Sequence, residues 1–204
     1  MKKTLSWLIP IAVGIALAFL IKQFVFVVVR VDGPSMEPNL QNNQYVLAVK
    51  PLKIHRFSVI VFDADGVDAN ASGHENYVKR VIGLPGDSIK YTKAGKLYVN
   101  GQYQAQNFIS KYQRTTGTVS SFKNGFDLVT AARQYDWSNK WSLDIGNNRV
   151  NKVPKNCYFV LGDHRSVSED GRMYGFVPKS KILGVVKAGF WAKNHKMVNS
   201  YSNN

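Results

Sequence analysis

The sequence predicts a mainly β protein: an antiparallel β-sheet domain with an inserted smaller lobe, preceded by one transmembrane helix. Three observations carry this. There is one long uncharged apolar run, Leu5 to Ile21 (LSWLIPIAVGIALAFLI). After it come many short runs rich in β-branched and aromatic residues, each closed by turn residues. No alternation of helical and strand periods accompanies them, which argues against a parallel sheet with crossover helices.

As a helix, Leu5 to Ile21 would rise about 25 Å, the short end of what spans a bilayer. Lys2 and Lys3 before it and Lys22 after it favour a cytoplasmic N-terminus with the following domain outside. A cleaved secretory signal is the competing reading, with Ala16-Leu17-Ala18 as a small-x-small site. The apolar character continues through Phe19-Leu20-Ile21, so residues 1–22 are read as a retained anchor.

Phe24 to Val31 (FVFVVVRV) reads as a buried strand leading into the turn Gly33-Pro34-Ser35-Met36-Glu37-Pro38. Tyr45 to Val49 and Ser58 to Phe62 are two further strands, and Asp63 to Asn76 is a polar loop. Tyr77 to Ile82 is a strand closed by Leu84-Pro85-Gly86-Asp87. Ile89 to Tyr91 and Leu97 to Val99 flank Lys93-Ala94-Gly95-Lys96 as a hairpin, and Asn100-Gly101 is another tight turn. Residues 102–151 lack clear periodicity and are read as the inserted lobe, with Trp137 and Trp141 as its small core. Cys157 to Leu161 is a strand feeding the turn-like run Gly162 to Arg172, and Ile182 to Trp191 is the last strand. Residues 23–101 and 152–193 thus form one β domain in two parts, and residues 194–204 are a polar tail expected to fray.

A chain of 204 residues can bury one good-sized core. Its formal charge of +14 would suit an anionic partner. The basic residues are scattered, without zinc-finger spacing or an aromatic stacking box, so nucleic acid is not the expected partner. Acidic lipid head groups beside the anchor are. The single cysteine, Cys157, has no internal disulfide partner and sits among apolar residues that raise a thiol pKa. His74-Glu75 has no second histidine at zinc-motif spacing.

Proline lacks an N–H and restricts the residue before it, so Ser35, following Pro34 and preceding Pro38, is held on a loop that cannot become helix. Alone, it would be a turn serine. Lys79, inside an apolar strand, changes that reading. Strand alternation points Tyr77, Lys79 and Val81 to one face and Val78, Arg80 and Ile82 to the other. A lone lysine is ordinarily exposed, but burial lowers its pKa from about 10.4 by several units. A neutral amine can then take the proton of a serine hydroxyl. The two residues together suggest a nucleophile and its base.

These stretches, Gly33 to Pro38, Tyr77-Val78-Lys79-Arg80-Val81-Ile82-Gly83-Leu84-Pro85-Gly86-Asp87 and Gly162-Asp163-His164-Arg165 through Arg172, resemble in order and separation the three signature boxes of type I signal peptidases. The N-terminal anchor fits a Gram-positive, single-span member. The resemblance implies a membrane-anchored serine endopeptidase that removes signal peptides from secreted precursors after a small-x-small site, without metal or cofactor. Its partners would be signal peptides and membrane lipid, its place the cell membrane with the catalytic domain outside. It further implies that Ser35 is the nucleophile and Lys79 the general base, which also protonates the leaving amine. Ser168 would orient Lys79, while Asp163, Arg165, Asp170 and Arg172 hold the third box. The Ser35 backbone N–H would serve the oxyanion, with the second donor open because Gly33 stands where some members carry a hydroxyl. Met36 and Val31 are expected at the substrate.

The sequence departs from the pattern in four places. His164 replaces an asparagine, Gly171 a serine and Asn39 a threonine, and Phe57-Ser58 stands for Gly-Asp. His164 raises a Ser/His alternative, but Gly-x-Ser-x-Gly is absent around Ser35, so hydrogen bonding within the loop is the expected role. The alternative function is a membrane-tethered β binding or assembly module with degenerate boxes.

Overall fold

The computed structural model describes residues 2–50, 52–122, 124–137 and 150–202, and of residues 2–6 and 20–23 the backbone only. The apolar N-terminal run is helical, α1 (Lys2–Phe24), with Pro10 inside it. Its described apolar side chains, among them Trp7, Ile11, Ile15 and Phe19, are exposed. Among the described residues, no helix is long and apolar enough to cross a membrane.

The rest is mainly antiparallel β. Strands β1 (Phe26–Arg30), β2 (Tyr45–Val49), β3 (Val59–Asp63) and β4 (Asn76–Gly83) are followed by the short β5 (Ile89–Thr92), β6 (Leu97–Val99), β7 (Gln102–Gln104) and β8 (Gly125–Asp127). Helix α2 (Leu128–Gln134), β9 (Cys157–Leu161), α3 (Gly171–Tyr174), β10 (Phe176–Pro178), β11 (Ile182–Lys187) and α4 (His195–Ser200) complete the order. Seven strands pair as β1-β2-β11-β3-β4-β9-β10, and four as β7-β6-β5-β8. β4 lies inside the larger sheet, with Lys79 opposite Ile60 and Arg80 between Val59 and Leu161. β1 is an edge strand, paired only with β2.

The central strands are Val-, Ile- and Phe-rich because they are buried on both faces; β3, β9 and the second half of β4 are buried almost throughout. The hairpin expected around Gly95 is present, with Gly95 at φ +73° as a tight β5–β6 turn requires. The last strand stops at Lys187 rather than Trp191. From Gly189 the chain turns, with the Ala192 N–H donating to the Gly189 carbonyl. A short β10 and the π turn Gln113–Gly117 carry no period-two or period-3.6 pattern and are visible only in the structure.

Trp137 does not centre a separate core. Its indole packs against Phe176 at 5.3 Å and Phe159 at 6.4 Å, on β10 and β9 of the larger sheet; Trp141 lies outside the described residues. The small sheet draws three strands from residues before 105 and one from 125–127, and it shares one apolar cluster with Ile82, Leu161 and Phe176. The tail, expected to fray, is docked. Val198 is fully buried, and Asn199 both accepts from the Ala188 N–H and donates to the Ala188 carbonyl, continuing β11 as a strand partner would. Cys157 is buried, and that burial pushes its thiol up, away from reactivity.

Candidate active site

The turn after β1 is built by Pro34 and Met36. The Glu37 N–H donates to the Pro34 carbonyl at 3.0 Å, and the Leu40 and Asn39 N–H groups donate to the Met36 carbonyl, each at 3.0 Å. Met36 and Leu40 are wholly buried beneath it, so the turn is pinned by its apolar side chains while Ser35 stays half-buried at the rim. Strand alternation does the rest. Lys79 projects toward Ser35 and Arg80 to the opposite face, as the period of two requires. Lys79 Nζ lies 2.9 Å from Ser35 Oγ, a hydrogen bond between residues 44 apart in the chain.

Lys79 is only 5% exposed. Burial pulls its ammonium down to about 8, against the opposing attraction of Asp170, Asp68 and Glu169. Its Nζ also lies 5.1 Å from the centre of the Tyr77 ring, whose hydroxyl is itself pushed up by burial. Near neutrality, an appreciable fraction of this amine is unprotonated, which an exposed lysine cannot offer.

The third stretch backs the pair. The His164 N–H donates to the Ser35 carbonyl at 3.0 Å. A Cβ at Gly162 would stand 2.6 Å from that same Ser35 oxygen and would collide with Ser168 Oγ, so only glycine lets the loop lie this close to Ser35. Three arginines fasten the loop. Arg80 forks onto Asp163, Nε to Oδ1 at 2.8 Å and Nη2 to Oδ2 at 2.7 Å, with both side chains wholly buried. Arg172 forks onto Asp170 at 2.9 and 3.0 Å and also donates to the carbonyls of Arg165 and Gly117. Asp170 accepts the Gly162 N–H and caps α3. Burial would raise its pKa, but the Arg172 charge and these hydrogen bonds hold it below the ordinary value. Arg165 has no carboxylate partner among the described residues. It donates to the Gly162 carbonyl, the Tyr91 and Thr118 hydroxyls and Gln106 Oε1, at 2.9 to 3.2 Å.

A cavity of about 640 Å³ opens in front of Ser35 and Lys79, lined by Val27 to Arg30 on β1, Tyr77 and Val78 on β4, and Val167 and Glu169 on the loop. The exposed edge of β1 therefore forms one wall. Met36 and Val31 are buried in the apolar cluster beneath, with Leu40 and Val46, and do not line this cavity. Ser168 is buried beside Gly162, and its hydroxyl reaches the Glu169 carbonyl at 3.5 Å; among the described residues it makes no hydrogen bond to Lys79. The Ser35 N–H donates to no acceptor among the described residues, whereas the Gly33 N–H is taken by Asn42 Oδ1 at 3.0 Å. The His164 imidazole makes no hydrogen bond through its buried Nδ1, and none to Ser35 Oγ, among the described residues. His74 sits with Asp63 and Asp65, where the Lys181 ammonium joins the two carboxylates at 3.3 and 3.8 Å.

A family model described as signal peptidase, peptidase S26, matches residues 4–191. The chain belongs to that family. Signal peptidase IB of Staphylococcus aureus strain Mu50 is 33% identical over 194 residues, covering 93% of this chain and 91% of its own. Signal peptidase I V of Bacillus subtilis strain 168 is 35% identical over 184 residues, covering 88% and 95%. A crystal structure of a signal peptidase I from Enterococcus faecalis V583 shares 29% identity with a TM-score of 0.47, over 65% of this chain and 96% of that one.

Several supports of this signal peptidase site were not legible in advance. Asn39, a departure from the family pattern, donates to both Asp163 Oδ2 at 2.8 Å and the Phe108 carbonyl at 2.7 Å. Gln106 and Thr118 hold Arg165 from the segment read as an inserted lobe, and Tyr91 holds it from β5. Their only sequence signal is negative. Four arginines and lysines in buried surroundings need oxygens, and the boxes alone supply too few.

Proposed function

We propose that this signal peptidase removes signal peptides from secreted precursors by a Ser35/Lys79 dyad, the single supporting observation being a buried, proton-poor amine 2.9 Å from a serine hydroxyl. With the amine neutral, the hydroxyl donates to Lys79 Nζ. Ser35 Oγ attacks the scissile carbonyl as its proton passes to Lys79, and the ammonium so formed returns a proton to the leaving amine. Water then attacks the acyl carbonyl as it gives a proton to Lys79, and Lys79 returns that proton to Ser35 Oγ as the Oγ–acyl bond breaks and the acid leaves. The Ser35 N–H is the oxyanion donor, and such a donor is worth about 3 kcal/mol. Asp163, Arg165, Asp170 and Arg172 fix the loop against which Ser35 rests, and Ser168 is the residue assigned to orient Lys79.

The substrate lies extended along the unpaired edge of β1, where backbone hydrogen bonds give affinity and shallow pockets read alternate side chains. Val29, Val78 and Tyr77 restrict those pockets to small groups, which suits an Ala-x-Ala-like site. Helix α1 anchors the chain in the membrane with the N-terminus inside. The exposed row of Val28, Leu47 and Tyr45, with Phe190 and Trp191 nearby in the chain, faces lipid. The test is cleavage of a precursor in vesicles. Wild type cuts, while Ser35→Ala and Lys79→Ala do not. Persistent processing by both variants removes the dyad, and inactivity of the wild type leaves a tethered binding module.

A further inference from the structure

The family match ends at Trp191, yet the residues beyond it are packed against two of the three boxes. Asn194 Nδ2 donates to the Pro38 carbonyl, in the nucleophile's own turn, at 2.7 Å. Val198 is buried in the same apolar cluster as Met36 and Leu40, the two side chains that pin that turn. The Tyr201 ring stands 5.7 Å from the guanidinium carbon of Arg80 and edge-on to Phe57 and Phe108, at 5.5 and 5.9 Å. Its carbonyl accepts from Ser58 Oγ at 2.8 Å. Phe108 in turn lies 4.2 Å from the same guanidinium, and its carbonyl accepts from Asn39. One short segment thus supplies part of the floor under Ser35 and part of the cover over the Arg80–Asp163 fork, and none of its residues lines the substrate cavity.

We infer that residues 194–202 are a positioning strap for the active site, acting on Ser35 through Val198 and Asn194 and on the Arg80–Asp163–Asn39 network through Tyr201. The segment touches the turn and the fork but not the substrate. It therefore sets the rate of the chemical step without setting affinity, since small misplacements of a nucleophile are expensive in rate. This rests on Ser35 being the nucleophile. The cover over Arg80 is the face of a ring, so the Tyr201 hydroxyl is dispensable and the ring is not.

The experiment compares full-length Tyr201→Ala, Tyr201→Phe, Val198→Ala and Asn194→Ala in precursor cleavage, with thermal unfolding measured on each. A control, Leu128→Ala, removes core packing beside the small sheet. Expected is a kcat lower by about tenfold for Tyr201→Ala and Val198→Ala and by about threefold for Asn194→Ala, with KM within about twofold. Tyr201→Phe restores wild-type kcat. Leu128→Ala lowers the unfolding temperature without lowering kcat at a temperature where it is folded. The strap is refuted if the folded tail variants keep wild-type kcat, or if Leu128→Ala loses kcat in the same proportion to its loss of stability. Should Tyr201→Ala fail to fold, the Asn194→Ala and Val198→Ala pair decides by the same criteria. Ser35→Ala separates the two readings. If it still cuts, the dyad falls; if it is inert while the tail variants are fully active, only the strap falls.

Discussion

The burial of Lys79 makes a quantitative demand on the pH dependence of cleavage. Burial brings the amine down to about 8 from an ordinary lysine's 10.5. That difference of about 2.5 units is about 3 kcal/mol at 1.36 kcal/mol per unit. At pH 7, roughly one molecule in ten then carries a neutral Lys79, against roughly one in three thousand for an unperturbed lysine, a gain of about 300-fold in competent enzyme. kcat/KM should therefore climb about tenfold per unit at acid pH, bend near 8 and level off above it. Initial rates on a fluorogenic peptide with a small-x-small site, at constant ionic strength from pH 6 to 10, give the profile. Lys79→Arg supplies the perturbation, because a guanidinium keeps its charge and its proton throughout this range. It should lose at least about a thousandfold at every pH, on the scale of the general-base contribution. A flat wild-type profile, or Lys79→Arg retaining a tenth of the activity, would refute Lys79 as the base.

Three further outcomes follow from the same geometry. Because the folded state binds the Lys79 proton more weakly than the unfolded chain, stability rises with pH from about 8 to 10.5. Lys79→Met should accordingly be more stable than wild type below pH 8, by up to about 3 kcal/mol, with the gap closing toward pH 10.5; denaturant titration at several pH values checks this, and a pH-independent gap would contradict it. Gly162→Ala should lower kcat at least tenfold through displacement of Ser35 and Ser168, by about what a shift of 1 Å costs, while a folded variant of normal kcat would show the loop to be softer than its contacts imply. Asp163→Asn leaves the buried Arg80 guanidinium without its counter-charge and should cost about 3–5 kcal/mol of stability, read as a fall in unfolding midpoint; a fall below about 1 kcal/mol would mean that the other oxygens around Arg80 suffice.

Much of this was legible in the chain because two local rules fix it. Prolines on either side hold Ser35 off any helix, and alternation along β4 sends Lys79 and Arg80 to opposite faces, so the separation of those two cations follows once strand identity is recognised. The Gly162 to Arg172 run was legible as a turn but not as a loop held by three separate guanidinium clusters, since charge pairing across 83 residues, as between Arg80 and Asp163, leaves no local periodicity. Residues 102–137 were opaque for the same reason. Their purpose lies in single polar atoms, Gln106 Oε1, Thr118 Oγ1 and the Gly117 carbonyl, that meet arginines far away in sequence. The tail misled because its residues are polar in name. Asn194 and Asn199 bond backbone groups, and Val198 alone carries the burial. Met36 and Val31 are apolar neighbours of the turn, and a sequence does not say whether such neighbours face a ligand or the interior.

The four oxygens around Arg165 come from a carbonyl, two hydroxyls and an amide, and none of these gains or loses a proton in ordinary acid. Arg80 and Arg172, by contrast, grip carboxylates. Acidification therefore cannot loosen the clasp facing the small sheet, whose oxygens carry no charge to lose. Whatever happens at the carboxylates, the loop stays tethered at its Arg165 end.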